Sequence, residues 1–224
     1  MNDFHELKNK VLFGEVFHTI SAALLEKHEY PWEVVPNISA FIREIGQNLE
    51  PNEYDCAGDG IYISKSAKVD RSAFIGSPCI IGHRAELRRC AFIRGSSIVG
   101  EDSVIGNSTE VKNCILFDGV QLPHFNYAGD SLLGYRAHLG AGAVISNVKS
   151  DKTEVTVSSS DGKIRTGLRK FGAAVGDFVE VGCNAVLNPG TVIGARTSVY
   201  PLSSVRGSIP PDSICKNTGI IGRK

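Results

Sequence analysis

The chain has no excess charge of either sign: 24 Lys plus Arg balance 24 Asp plus Glu. No global field draws it to nucleic acid or an anionic membrane, so any anion binding must come from local clusters. No apolar run approaches the roughly 20 residues needed to span a bilayer. The start, Met1-Asn2-Asp3-Phe4-His5, lacks a basic stretch followed by an apolar core, so no secretory signal is expected there. None of the cysteines, Cys56, Cys79, Cys90, Cys114, Cys183 and Cys215, forms a CxxC pair, which argues against a zinc ribbon or redox motif. These absences lead us to expect a soluble cytoplasmic protein with reduced structural thiols, Cys79 serving as a compact apolar filler.

What is present is a beat of six. Aliphatics recur at Ile63, Val69, Ile75, Ile81, Leu87, Ile93, Val99, Ile105 and Val111, with Phe117 next. The beat resumes at Leu133, Leu139 and Ile145, and again at Val175, Val181, Leu187, Ile193, Val199 and Val205. Neither a helix (period 3.6) nor a strand (period 2) produces a strict six. A small residue follows four positions later, as at Ala67, Ala73, Cys79, Ala85, Ala91, Ser97, Ser103 and Thr109. The pattern predicts an all-β fold, a left-handed parallel β-helix of hexapeptide repeats. Three hexads close a triangular coil, so residue i stacks on i+18 and about six coils make a prism about 30 Å tall. Glycines one residue after the aliphatic, such as Gly82, Gly100 and Gly106, are expected to supply backbone freedom at the corner.

Residues 1–62 do not follow the beat. Val11, Leu12, Val16, Phe17, Ile20, Leu24 and Leu25 recur at helical spacing and predict a helix over 11–29. Pro31 and Pro36 mark a connector, after which Asn37 or Ser39 can cap a second helix carrying Ile38, Phe41, Ile42, Ile45 and Leu49. We divide the chain into a helical cap or arm, 1–62, and a β-helix domain, 63–224, with excursions at 118–132 and 147–172. The second excursion holds four Lys and two Arg against three acids, and its Glu154-Val155-Thr156-Val157 alternation suggests a hairpin thrown off the prism. Excursions from a repeat owe nothing to its core, so binding groups collect there.

His124 lies in the first excursion. Upstream stand Arg94, Glu110 and Lys112; Arg94 and Glu110 are sixteen residues apart, close to one coil. Lys112 points outward because its neighbour Val111 points in. Two cations, a carboxylate and a histidine around one groove suit a phosphorylated substrate bearing an amine or hydroxyl. A zinc enzyme needs a close pair of histidines on a strand. The repeat offers only His83, His124 and His138, so no metal site is expected.

The stretch PHFNYAGDSLLGYRAHLGAGAVISN, with Lys112 twelve and Arg94 thirty residues before His124, resembles the acetyltransferase half of bifunctional glucosamine-1-phosphate acetyltransferase/N-acetylglucosamine-1-phosphate uridylyltransferase. The segment TGLRKFGAAVGD is similar to the archaeal sugar-1-phosphate nucleotidylyltransferase/acetyltransferase branch, and the similarity runs over about 60–216. The resemblance implies an acetyl-CoA-dependent N-acetyltransferase for glucosamine-1-phosphate or galactosamine-1-phosphate, transferring directly, with no metal, and assembled as a homotrimer. His124 would be the general base. Arg94 and Lys112 would hold the phosphate, Glu110 a hydroxyl or the amine, and Tyr127 and Asn147 the sugar or phosphate. The Ala141 N–H would face the thioester oxygen, and Cys183 and Pro201 would line the CoA slot. His138 stands where the bacterial family has asparagine and could read a different sugar. The residues before the repeat hold no Gly-rich nucleotide loop, so nucleotidyl transfer is not expected. Two other readings remain open: an O-acetyltransferase on a sugar or sugar nucleotide, and a non-catalytic scaffold or regulatory prism.

Overall fold

In the computed structural model, which describes residues 4–217 and 221–223, Ile63 pairs with Ile81 and Ile81 with Val99. Val69, Leu87 and Ile105 stack in a second column, and Ile75, Ile93 and Val111 in a third. These columns are the three walls of a left-handed parallel β-helix. The first two walls hold eight levels and the third seven, more than the six coils the beat suggested. At about 4.8 Å per level the prism is roughly 34 Å tall.

The corners explain the beat and correct one expectation about it. The left-handed residue is the third after the aliphatic, as at Arg84 (φ 55), Asp102 (φ 54) and Asn184 (φ 54). The glycines one residue after the aliphatic, Gly82, Gly100 and Gly106, do not have positive φ. Their reason is close approach: a Cβ on Gly106 would overlap the Pro123 carbonyl of the next coil.

Residues 118–132 do not leave the prism. Leu116 stacks between Val99 and Leu133, Leu122 on Ile105, and Ala128 between Val111 and Ile145. All four inward residues of this coil and the next, Leu116, Leu122, Ala128 and Leu133, are fully buried. The beat shortens from six to five twice, from Val111 to Leu116 and from Ala128 to Leu133. Each shortening is a tightened corner. Its left-handed residue comes one position early, at Asn113 (φ 51) and Asp130 (φ 50), and one strand runs unbroken round it, Glu110–Leu116 and Tyr127–Leu133. Phe117, which the strict six places inside, instead packs outside against Phe13, ring centroids 5.1 Å apart.

The second break is an insertion. Leu133 pairs with Val175 and Ile145 with Leu187, a step of 42 residues, or 24 more than a coil. It contains the hairpin Thr156–Ser159 with Gly162–Arg165. The hairpin is not thrown off the prism. Val155 and Val157 are fully buried, and the first strand packs on Thr191–Ile193 and Ser208–Ile209.

The N-terminal segment lies along the first wall, neither capping an end nor projecting as an arm. Its helices are α1 (Asn9–Leu12), α2 (Ala22–Glu26), α3 (Pro31–Val34) and α4 (Ile38–Gly46). α4 packs on Cys79–Ile81, Ser97–Val99 and Glu110–Leu116, and α3 on Tyr127–Leu133. Beneath them the outward column Ile80, Ile98, Ile115 and Leu132 is buried to the same degree as the interior, and it continues as Ala174 and Val192, the latter on the strand that the hairpin covers. The expected helix over 11–29 is broken because residues 12–18 spend their backbone groups on the prism corners. Asp177 N–H donates to the Leu12 carbonyl, Glu15 N–H to Asp177 Oδ2, and Asp118 N–H to the His18 carbonyl. Tertiary bonds override helical spacing here. The second helical stretch begins at Pro31, where a missing N–H costs nothing, and Glu33 Oε2 accepts the Tyr30 N–H at 2.9 Å. Asn37 does not cap; its side chain donates to the Glu33 carbonyl.

Candidate active site

The tightened corners gather five of the expected residues at the edge between the third and first walls. Lys112 follows the inward Val111 as Arg94 follows Ile93, so the two cations stand on successive levels. Arg94 Nη1 donates to Glu110 Oε1 at 2.8 Å, and this bond holds the guanidinium pKa up. Tyr127 pairs with Glu110 one level on. Burial raises the Tyr127 phenol pKa, with the charges of Glu110 and Asp130 adding to the rise. Gly129 leaves the room these groups need: a Cβ there would lie 2.5 Å from the Tyr127 hydroxyl and 2.7 Å from Asn147 Nδ2.

Two members of this cluster were not assigned from sequence. Asp130 is almost completely buried and accepts from Asn113 Nδ2 at 2.8 Å and from Asn147 Nδ2, with Lys112 Nζ 3.6 Å away. Asn113 and Asp130 occupy the two early left-handed positions, a backbone region that Asn and Asp tolerate. The signal for them was the five-residue spacing itself.

His124 stands on a different edge, between the second and third walls. It belongs to a column two residues after the inward aliphatics Leu122, Leu139, Val181 and Val199: His124, Ala141, Cys183 and Pro201. Hydrogen bonds tie the corners together. Gly142 N–H donates to the His124 carbonyl at 3.0 Å, Asn184 N–H to the Ala141 carbonyl at 2.9 Å, and Leu202 N–H to the Cys183 carbonyl at 3.0 Å. The His124 side chain is exposed, and its ring has no polar partner among the described residues. The Ala141 N–H has no acceptor among them either. Cys183 is an exposed free thiol, and Phe125 and Leu202 flank the column as exposed apolar side chains.

His138 joins neither group. It faces outward on the second wall, where Nδ1 lies 2.7 Å from Glu180 Oε2 on the next level. It lines a shallow depression with Gln121, Pro123 and Arg136, three residues ahead of the His124 edge. The two edges that matter bound the third wall, whose outward column runs Phe74, Phe92, Glu110, Tyr127, Val144 and Val186. Among the described residues no three His, Cys, Asp or Glu side chains cluster to hold a metal, and no helix is long and apolar enough to cross a membrane.

No family model matches the chain. A bifunctional sugar-1-phosphate nucleotidylyltransferase/acetyltransferase of Sulfurisphaera tokodaii is 38% identical over 87 residues, 39% of this chain and 22% of that protein. A bifunctional protein GlmU of Methanococcus vannielii is 32% identical over 85 residues, 38% of this chain and 20% of that protein. Among solved structures, the acetyltransferase domain of PglB from Neisseria gonorrhoeae with acetyl coenzyme A aligns over 84% of this chain and 67% of that one. Its identity is 15% and its TM-score 0.36, a likeness too slight to argue from. The chain is therefore similar, over about two-fifths of its length, to bifunctional nucleotidylyltransferase/acetyltransferases, and the match spans about a fifth of theirs.

Proposed function

We propose that the chain is an acetyl-CoA-dependent N-acetyltransferase acting on an amino-sugar phosphate, with glucosamine-1-phosphate and galactosamine-1-phosphate as first candidates. The observation that carries this reading is the column His124–Ala141–Cys183–Pro201 on one edge of the wall whose other edge bears Arg94 and Lys112. Three levels separate His124 from Pro201, about 14 Å at 4.8 Å per level, which suits an extended thioester arm laid along the edge. The third wall is only about three residues wide, roughly 10 Å, so one small sugar can reach both edges.

In the proposed reaction the phosphate sits on Arg94 and Lys112, with Tyr127 and Asn147 beside the sugar. His124 takes a proton from the attacking amine, a role suited to an imidazole that both accepts and donates a proton. The amine nitrogen bonds to the thioester carbon, the Ala141 N–H stabilises the oxyanion, and CoA leaves as the thiol. Cys183 contacts CoA and forms no acyl-enzyme, since a lone exposed thiol without a hydrogen-bonded base lacks the pairing that nucleophilic catalysis needs. The exposed Phe74, Phe92 and Val186 on the third wall support a homotrimer in which a neighbour covers that face.

The test is thiol release from acetyl-CoA across a panel of amino-sugar phosphates. Turnover with one of them, abolished by His124→Ala, supports the reading. No turnover with any, or turnover indifferent to His124, sinks it.

A further inference from the structure

Asp130 is the point where four segments of the site meet. Its Oδ1 accepts from Asn113 Nδ2 at 2.8 Å, and its Oδ2 accepts from Asn147 Nδ2. Lys112 Nζ stands 3.6 Å from Oδ2, and the Asp130 carbonyl accepts the Gly172 N–H at 2.9 Å. Asn147 opens the insertion and Gly172 closes it, so one residue fastens both ends of the insertion to the level that carries Lys112. Its side chain is only 4% exposed.

A carboxylate withdrawn from water is costly unless donors surround it. A buried carboxylate is also a poor way to gain stability, because apolar replacements often serve as well. Its geometry suggests another use. At 3.6 Å the Lys112 ammonium is held by charge but lies beyond ordinary hydrogen-bond length. Its N–H donors therefore stay available to an outside oxygen acceptor. One Asn147 N–H is held by Asp130, and the amide also meets the Tyr127 hydroxyl, so the carboxylate sets where this Asn–Tyr pair stands beside Lys112.

We propose that Asp130 is a positioning residue that aims Lys112 and Asn147 at the phosphate of the substrate. It touches neither substrate nor cofactor. The proposal rests on the functional reading above for the identity of the ligand, and its sign is diagnostic. If Asp130 acted only as a nearby negative charge, it would repel a phosphate, and neutralising it would tighten anion binding. If it positions Lys112 and Asn147, neutralising it weakens binding.

The experiment compares Asp130→Asn and Asn113→Ala with the wild type. Asp130→Asn should raise KM for the amino-sugar phosphate about tenfold or more, with kcat and the KM for acetyl-CoA within twofold. Asn113→Ala loosens the same carboxylate from its far side and should shift the same constant less. A KM that is unchanged or lower overturns the proposal. So does a parallel fall of kcat with a rise of both KM values, the mark of a merely structural group. A wild type inert to every amino-sugar phosphate would instead sink the functional reading. Binding of inorganic phosphate, followed by calorimetry on folded protein, then decides: weaker in Asp130→Asn supports positioning, equal or tighter overturns it.

Discussion

Gly142 N–H donates to the His124 carbonyl at 3.0 Å, which fixes Ala141 one level from His124 on the same edge. A histidine ring without a polar partner and an amide N–H without an acceptor, among the described residues, thus stand about 4.8 Å apart in backbone level. The exposed ring contributes little to folding, so its loss should be visible in catalysis alone. His124→Ala should lower kcat by roughly 10²–10⁴-fold, the range of a general base. Its melting temperature should stay within about 2 °C of wild type, since exposed substitutions are nearly neutral. A large fall in melting temperature with retained kcat would contradict this.

Arg94 is bonded to Glu110 in the free protein, so in the proposed function it turns part of its fork to the substrate phosphate. Charge-assisted bonds of this kind are worth about 1.5–3 kcal/mol. Arg94→Ala should therefore raise KM for the sugar phosphate about 10- to 100-fold and leave the KM for acetyl-CoA unchanged. Initial-rate kinetics with each substrate varied in turn would decide, and equal effects on both constants would remove Arg94 from the phosphate site.

Much of this was legible in the sequence, and the misreadings share a physical cause. The six-residue beat follows from one inward side chain per wall, and it specified the prism and its columns. It failed where the spacing fell to five, because Leu116, Leu122 and Ala128 lie outside the frame set by Val111, and Ala128 is too small to announce itself. The first excursion was thus a frameshift of the coil. The first wall carried a second unread signal. Its strands read Cys-Ile-Ile, Ser-Ile-Val, Cys-Ile-Leu and Ser-Leu-Leu, with an apolar residue where an exposed wall would be polar. Two-sided burial of a strand means something lies on it, and here that is the N-terminal segment. Where residues 12–18 meet the corners could not be read locally, since Leu12 and Asp177 are far apart in sequence.

That covered wall makes the N-terminal segment part of the folding unit. Removing residues 1–50 would bare Ile80, Ile98, Ile115 and Leu132 as one continuous apolar stripe. Such a patch promotes aggregation. The truncated chain should be insoluble or run as large aggregates in size-exclusion chromatography. A soluble, homogeneous β-helix lacking the segment would show that it is a detachable arm after all.

Gly106→Ala tests the corner packing. The new methyl would overlap the Pro123 carbonyl, which is backbone and cannot step aside. Overpacking of this kind costs about 1–3 kcal/mol, and His124 follows Pro123 directly. The variant should melt earlier and also lose activity, whereas Gly167→Ala, with open space around it but a left-handed φ of 73, should lose stability only through backbone strain. Equal melting temperatures for Gly106→Ala and wild type would refute the close-approach account of the corner glycines.

Asp177 gives the docking of the N-terminal segment a pH dependence. Its Oδ1 accepts the Tyr135 N–H at 2.8 Å and its Oδ2 the Glu15 N–H at 2.9 Å. Burial nevertheless dominates and pushes its pKa up from the ordinary carboxylate range. The folded state therefore binds this proton more tightly than the unfolded chain does. The resulting contribution to stability is fully present below the unfolded pKa of about 3.9 and is lost as pH rises through the raised folded value. Asp177→Asn cannot titrate and lacks this component. The difference in melting temperature, wild type minus Asp177→Asn, should accordingly shrink as pH is raised from about 4 towards neutrality. Thermal melts of both proteins across that range would check the sign. A difference that widens with pH would mean that the two N–H bonds outweigh burial and hold the carboxyl below its ordinary value.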